Sequence, residues 1–143
     1  RGEMEPGESV ASLCRRSGVE TLYAFGSRGR EALAWVQGQS ERMRGGTSDL
    51  DVGVRPVQDK TWGLDDKVQM AIALEDLTGV ARVDLVFLPD ADPFVAAEII
   101  RGERLYARDE HSADEYDLYI LRRAGDLAPL ERERMALILG TDR

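Results

Sequence analysis

Two aspartates stand close together at a position where the chain could bind a metal ion. Asp49 and Asp51 lie in a run that reads as a strand, so their side chains project from the same face. Two like charges at this spacing repel and raise each other's pKa, and a divalent cation beside them would relieve the repulsion. A solvated acid pair is the alternative, because the D-x-D pattern is short and aspartate is common.

A third aspartate lies in the middle of an apolar run. Asp84 falls within residues 82–88, which predict a buried strand, and Val86 and Leu88 share its face. An ionised carboxylate there is costly unless something pairs with it. A metal ion shared with the first two aspartates would supply that partner. A salt bridge to Arg82 or to another arginine is the alternative.

A glycine-serine pair follows an apolar strand and precedes a helix. At Gly26 the backbone can approach a ligand closely, and free N–H groups at a helix start attract phosphate. The Ser27 hydroxyl adds a donor. The same dipeptide is also an ordinary turn. The order of strand, glycine turn, helix and D-x-D strand is therefore more informative than the pair alone.

The elements that must position these residues alternate between helix and strand. Asp92 before Pro93 is typical of a helix start, and Gly18 and Gly79 are typical of helix ends. The apolar residues Leu64, Val68 and Ile72 recur at helical spacing, and Tyr116, Ile120, Leu130 and Leu137 are candidate packing residues near the C-terminus. The predicted strands are 21–25, 49–54, 82–88 and a short edge strand at 105–106; the predicted helices end at Gly18 and Gly79, span 31–37 and 93–101, and form a C-terminal pair from 113 that is broken near 125–129.

Composition limits the class of protein. A chain of 143 residues with a net charge of −8 fits one domain and disfavours a nucleic-acid polymer as the direct substrate. No apolar run is long enough to cross a membrane, and no secretory leader is recognisable at the first residues. Cys14 is the only cysteine, so the reducing cytoplasm is the expected compartment.

The ordered set of segments resembles the nucleotidyltransferase superfamily that includes DNA polymerase beta, and above all its minimal nucleotidyltransferases. The resemblance covers about 22–106. It implies an α/β (α+β) nucleotidyltransferase fold with a small mixed β-sheet flanked by helices. It also implies one domain over 1–143, with a core at about 19–107 and C-terminal helices at about 113–140. The matching segments are YAFGSR at 23–28, TSDLDVGV at 47–54, VDLV at 83–86 and AEIIRGERLY at 97–106.

One departure from the family concerns spacing. The chain has 21 residues between Ser27 and Asp49, and the small family members usually have about half as many. We attribute the excess to a longer helix or to an arginine-containing loop around 37–46, with 39–48 as the candidate mobile loop. The metal ligands are intact, but loop closure and substrate choice depend on this segment.

The resemblance implies an activity. Asp49 and Asp51 would hold Mg²⁺ on a nucleoside triphosphate, and Asp84 would complete a second metal site or accept the proton of the attacking hydroxyl. The backbone of Gly26 and Ser27 would hold the β and γ phosphates. Arg28 or Arg30 would neutralise charge there. The expected reaction is Mg²⁺-dependent transfer of a nucleotidyl group, AMP from ATP, with two metal ions.

The resemblance also implies a partner. Many minimal nucleotidyltransferases are similar to the antitoxin of a pair whose toxin is a helical HEPN ribonuclease, and such an antitoxin can adenylylate the toxin. A homo- or hetero-oligomer is compatible with this hypothesis. Two alternatives remain: a non-catalytic nucleotide-binding antitoxin that acts by contact, and a small-molecule nucleotidyltransferase of the antibiotic type.

Overall fold

The computed structural model describes residues 4–40, 43, 48–58 and 60–139. Within them, helices and strands alternate in the expected order. The two short 3-10 turns directly follow β1 and β3. The helices are α1 (Pro6–Ser17), α2 (Gly29–Val36), α3 (Leu64–Thr78), α4 (Pro93–Ile100) and α5 (Glu110–Leu139); the strands are β1 (Val19–Phe25), β2 (Leu50–Pro56), β3 (Val83–Phe87) and β4 (Glu103–Ala107); the 3-10 turns are Gly26–Arg28 and Leu88–Asp90.

The four strands form one mixed sheet in the order β3-β2-β1-β4. Strand β1 is antiparallel to both β2 and β4, whereas β2 and β3 are parallel. The edge position of β4 agrees with the short edge strand predicted at 105–106. Since β2 and β3 run the same way, residues at their N-terminal ends lie side by side, next to the C-terminal end of β1.

Helices cover both faces of this sheet. One cluster of buried residues joins α1, α2 and α3 to the side chains of Leu50, Val52 and Val54 in β2. A second cluster joins α4 and α5 to the opposite face, where it includes Tyr23 and Val86. Beyond the aspartates this face carries Val86, which period-2 alternation places on the same side as Asp84, and Arg55, which it places on the same side as Asp51.

The helix ends predicted from glycine and capping residues agree with the structure. Gly18 and Gly79 end α1 and α3 in the left-handed conformation, with φ of 75° and 84°. Asp92 caps α4 by accepting hydrogen bonds from the N–H groups of Phe94 and Val95. The strands predicted at 49–54 and 82–88 are confirmed with shifted ends, since Asp49 and Arg82 precede β2 and β3.

The spacing of Leu64, Val68 and Ile72 predicted the helix α3 but not which of its faces is buried. Leu64 and Ile72 are exposed, with 76% and 51% of their surface accessible, and the buried residues of α3 are Met70, Leu74 and Thr78. Both sets recur at a spacing of four residues. The spacing alone therefore does not show which face of the helix is buried. Packing against α1 and the sheet buries the face that carries Met70 and Leu74.

The predicted break in the C-terminal helix is wrong. Helix α5 continues through Pro129. A proline inside a helix removes one hydrogen bond and crowds the carbonyl group four residues earlier, which here belongs to Gly125, without having to end the helix. Ile120 is buried as expected, but Leu130 and Leu137 are exposed. No helix of the described residues is long and apolar enough to cross a membrane.

The long segment between Ser27 and Asp49 does not lengthen the second helix. Helix α2 ends at Val36, so the additional residues follow it. Met43 is buried in the cluster that α2 contributes to. Residues 41–42 and 44–47 lie outside the described part of the chain, and the expected loop mobility therefore stays a prediction.

Candidate functional site

The sheet brings the three aspartates together. Asp51 in β2 pairs directly with Asp84 in the parallel strand β3, and neighbouring strands are about 4.8 Å apart. Asp49 lies two residues before Asp51, and the backbone N–H of Leu50 donates a hydrogen bond to the carbonyl of Arg82. All three carboxylates therefore lie at the N-terminal ends of β2 and β3.

The Gly26 turn lies against this acidic group. Phe25 pairs with Asp51 across β1 and β2, so the chain leaves β1 next to that carboxylate. Gly26 adopts φ of 73°, and a Cβ atom placed on it would lie 2.6 Å from Oδ2 of Asp51. Glycine is required here for both reasons. The turn brings the exposed Ser27 to the edge of the aspartates.

The acidic groups disfavour one another's ionisation. The pKa of Asp49 is raised, chiefly by a hydrogen bond with the Asp84 carboxyl and further by desolvation and by the charge of Asp84. The pKa of Asp51 is raised by burial first and then by the charges of Asp84 and Asp49. A cation bound among these groups would oppose both shifts, because it favours the ionised forms.

An arginine side chain contacts two of the aspartates. Nε of Arg82 lies 3.1 Å from Oδ1 of Asp84 and 3.6 Å from Oδ2 of Asp49. Its charge lowers the pKa of Asp49 against the larger effects that raise it. The salt bridge that the sequence allowed is therefore present. Because the Arg82 side chain is 70% exposed, it holds the carboxylates weakly.

The donor set fits a magnesium ion that is shared with a ligand. Carboxylate oxygens are the ligands that Mg²⁺ prefers, and it usually takes one or two of them and completes its shell with water and substrate phosphates. Among the described residues, no three acidic, histidine or cysteine side chains stand ready to hold a metal by themselves. The arrangement suits a metal bound jointly by aspartates and phosphates rather than a closed structural centre.

The two arginines expected near phosphate occupy different environments. Arg28 is buried, and its guanidinium makes two hydrogen bonds of 3.0 Å to the Glu31 carboxylate and one of 3.1 Å to the carbonyl of Ser48. These contacts join the Gly26 turn to the residue before Asp49. Arg30 is exposed near the start of α2. Arg28 is thus held by protein groups, whereas the side chain of Arg30 is open to solvent, and the phosphate contact expected of either stays a prediction.

Sequence reasoning missed the partners of Arg28. The pairing with Glu31 has a local signal, since residues three apart face each other on a helix. The contact with Ser48 has none, because it depends on how β1 and β2 pair.

The chain matches a protein-family model over most of its length. The model described as polymerase beta, nucleotidyltransferase matches residues 8–111. This range contains all seven residues predicted for the site. No curated protein is similar enough in sequence to count as a match.

Chains of several solved toxin–antitoxin structures share the fold. A mutant MntA toxin–antitoxin structure is 19% identical with a TM-score of 0.65, covering 94% of this chain and 97% of that one. A toxin–antitoxin structure with AMP-PNP is 20% identical with a TM-score of 0.64, covering 94% and 97%. The complex of a tri-AMPylated Shewanella oneidensis HEPN toxin with an MNT antitoxin is 19% identical with a TM-score of 0.63, covering 95% of each chain. The expected mixed α/β fold is confirmed.

Proposed function

Because the chain belongs to the polymerase beta nucleotidyltransferase family, we propose that it transfers AMP from ATP to a hydroxyl group on a partner protein. The observation that carries the proposal is the convergence of Asp49, Asp51 and Asp84 beside the Gly26 turn. This arrangement supports the proposal, because nucleotidyl transfer requires phosphate and metal to be bound next to each other.

The aspartates have distinct roles in this proposal. Asp49 and Asp51 would hold Mg²⁺, which when bound neutralises phosphate charge and stabilises the entering and leaving oxygens. Asp84 would complete the metal site or accept the proton of the attacking hydroxyl. The hydroxyl oxygen bonds to the α-phosphorus, the bond from that phosphorus to the β-phosphate bridging oxygen breaks, and pyrophosphate leaves.

The opposite side of the site would hold the triphosphate. In this proposal the backbone N–H groups of Gly26 and Ser27 and the Ser27 hydroxyl would donate to the β and γ phosphates, with Arg28 beside them. Arg30 can neutralise phosphate charge from the start of α2. Arg82 contacts the carboxylates of Asp49 and Asp84. Because its side chain is exposed, it could instead contact a bound triphosphate.

The protein partner is proposed from the surface and from the related folds. One solved relative of the fold is an MNT antitoxin in complex with a tri-AMPylated HEPN toxin. The C-terminal half of α5 carries several exposed large apolar side chains, a pattern typical of a protein interaction surface. These residues are Leu130, Met135, Leu137, Ile138 and Leu139. We therefore infer that a helical HEPN toxin is the acceptor.

A labelling experiment tests this function. The chain is incubated with Mg²⁺, a HEPN partner and ATP labelled on either the α or the γ phosphate. We expect only the α label on the partner, because the γ phosphate leaves in pyrophosphate. Transfer of the γ label would instead indicate a kinase reaction. Asp65→Asn, which changes an exposed acid on α3, is the matched control for Asp51→Asn.

Neutralisation of the partner by contact alone is the second candidate, and the exposed apolar surface of α5 favours it. In that case the partner would bind tightly and stay unlabelled. The double variant Asp49→Asn/Asp51→Asn would then protect cells from the toxin as well as the natural chain does. Loss of protection in the double variant supports transfer.

A further inference from the structure

A large cavity opens at the end of the sheet opposite to the aspartates. Its volume is about 930 Å³, which is within the range of small-molecule sites. Arg55 lines it, four residues beyond Asp51 along β2 and therefore roughly 13 Å away. None of the seven residues predicted for the nucleotidyltransferase site lines this cavity. It is a separate place on the molecule.

Four cationic side chains surround the cavity, and they come from four separate segments. They are Arg55 at the end of β2, Lys60 before α3, Arg108 after β4 and Arg123 in α5. Among the described residues of the lining, two carboxylates join them, those of Glu20 and Asp109. The lining is therefore positively charged, whereas the chain as a whole has a net charge of −8.

The four cations of the cavity have fewer carboxylate partners than some other cationic side chains of the chain. Arg104, for example, contacts three carboxylates at 2.7 to 3.0 Å. In the cavity, Arg55 donates only to the carbonyl and hydroxyl oxygens of Ser112, both at 3.4 Å. Arg123 donates to the hydroxyl of Tyr119 at 3.3 Å. For Arg55, Lys60 and Arg123, no carboxylate of the described residues lies within salt-bridge distance.

The remaining cation is also weakly paired. Nη1 of Arg108 lies 4.0 Å from Oε1 of Glu20, and its side chain is largely exposed. A contact of this length at the surface contributes little. The cavity therefore offers charged hydrogen-bond donors that the described part of the chain pairs weakly or not at all with carboxylates, and an anion could bind to them.

The wall of the cavity is partly aromatic. The guanidinium of Arg55 lies over the ring of Tyr116, 4.2 Å from its centroid, and this cation–π contact helps to hold the arginine in place. Tyr119 also lines the cavity and is half exposed, so its ring is open to stacking. Ile120 and Leu88 add apolar surface. The lining thus combines donors for phosphate with a surface for a planar ring.

We propose that this cavity binds a nucleoside phosphate, with the phosphate among Arg55, Arg108 and Arg123 and the base against Tyr119. The proposal does not depend on the transferase function. A free mononucleotide and the end of an RNA chain both present this chemistry, and the experiment distinguishes them.

Binding can be measured with the aspartate site disabled. We would titrate the Asp49→Asn/Asp51→Asn chain with AMP in EDTA and follow the backbone amides by NMR. We expect the signals of Ser112, Tyr119 and Arg123 to shift, and those of Gly26 and Ser27 to stay. Adenosine should bind at least about tenfold more weakly than AMP, because it lacks the charge-assisted hydrogen bonds.

Single substitutions identify the site. Arg123→Gln and Arg108→Gln should each weaken AMP binding about tenfold. Arg122→Gln, which removes the same charge from an exposed neighbour outside the cavity, should leave it unchanged. The Arg123→Gln chain should retain transfer of AMP to the toxin, so that failure of this proposal and failure of the proposed function are separate results.

The result that would overturn the proposal is equally specific. Shifts confined to Gly26 and Ser27, no shift at all, or equal weakening by Arg122→Gln and Arg123→Gln would each contradict a nucleoside phosphate site here. A parallel titration with a short oligoribonucleotide identifies the source. Tighter binding of the oligonucleotide than of AMP assigns the site to an RNA end, and the reverse assigns it to a free nucleotide.

Discussion

The three aspartates lie close enough together to disfavour one another's ionisation. Asp51 and Asp84 face each other across neighbouring strands, and like charges in directly opposed positions destabilise a sheet. The pKa of Asp51 is raised first by its partial burial and then by the charges of Asp84 and Asp49. An acid with a raised pKa in the folded state makes folding less favourable once it ionises. Such a conflict is typical of a functional site.

Replacing Asp51 by asparagine should therefore stabilise the chain while it removes activity. We expect Asp51→Asn to raise the melting temperature in EDTA at pH 7 by about 1–4 °C, because it removes one of the opposed charges. The raised pKa means that Asp51 stays protonated to higher pH in the folded chain than in the unfolded chain, where an aspartate titrates near pH 4. The natural chain therefore loses stability as the pH rises through and above about 4. The gain should disappear at lower pH.

Thermal unfolding at pH 7 and pH 3 measures this difference. Asp65→Asn, at an exposed position on α3, is the control and should show no such gain. A lower melting temperature for Asp51→Asn than for the natural chain at pH 7 would mean that the aspartates do not repel one another in the folded state.

Arg28 shows the limit of sequence reasoning at this scale. Its place in the YAFGSR segment predicts a phosphate contact, which stays a prediction, but the sequence did not indicate the hydrogen bond from its buried guanidinium to the carbonyl of Ser48. The aspartates and Gly26 could be found because their types and spacing reflect chemistry. The environment of Arg28 depends on the pairing of β1 with β2, which no local pattern encodes.

At the scale of elements, β2 must approach α4 closely to place the aspartates. A Cβ atom on Gly53, two residues after Asp51, would lie 2.5 Å from Cγ2 of Ile99. Ile99 is fully buried, so it has little room to move. The backbone of β2 can therefore lie against α4 only if this position is glycine.

Two glycine substitutions should have opposite effects. Gly53→Ala should reduce the free energy of unfolding by about 1–3 kcal/mol, since the methyl group overlaps Ile99. Gly125→Ala in α5, where an added Cβ meets nothing within 4 Å, should raise it by about 0.5–1 kcal/mol because alanine favours a helix. Urea denaturation of both variants measures the difference, and a stabilising Gly53→Ala would contradict the close packing.

Much of the element order could be predicted, and the failures have a physical cause. Glycine helix ends, the Asp92 cap and the apolar strands are local signals, and each is confirmed. The face of α3 could not be predicted, because Leu64, Val68 and Ile72 repeat with the same spacing as the residues that are buried. The continuity of α5 across Pro129 likewise depends on packing beyond the local sequence.

At the scale of the whole molecule, a partly buried polar network attaches α5 to the sheet. The hydroxyl of the fully buried Tyr23 in β1 donates a hydrogen bond to Asp117 in α5. Arg104 in β4 contacts the same carboxylate as well as Glu110 and Asp114. Burial and the hydrogen bond to Asp117 raise the pKa of Tyr23 above its usual range. The helix that carries the exposed apolar surface is thus held at one defined position.

Removing the tyrosine hydroxyl should loosen this attachment. We expect Tyr23→Phe to lower the free energy of unfolding at pH 7 by about 1.5 kcal/mol, the contribution of a hydrogen bond to a charged group. In the unfolded chain a tyrosine hydroxyl has a pKa of about 10. Because the pKa of Tyr23 is higher in the folded chain, its contribution to stability is complete below about pH 10 and is lost as the pH rises further. The natural chain and the variant should therefore become closer in stability above that pH. Equal stability at pH 7 would show that the network contributes nothing.

The molecule separates its charges along the sheet. Aspartates gather at the end where β2 and β3 begin, and cations gather around the cavity at the other end. The two proposed sites therefore suit different chemical groups, because carboxylates are ligands for a metal ion and arginines bind phosphate directly.

The central claim is that Asp49, Asp51 and Asp84 together form a nucleotidyl-transfer site, and the most direct test is the rate of label transfer from α-labelled ATP to a HEPN partner. We expect each single aspartate-to-asparagine variant to lose at least about 10²-fold in rate, the scale of removing one group that stabilises a transition state. Asp65→Asn should keep the natural rate. Full activity in Asp51→Asn would contradict the account, because the transfer would then not depend on the three carboxylates.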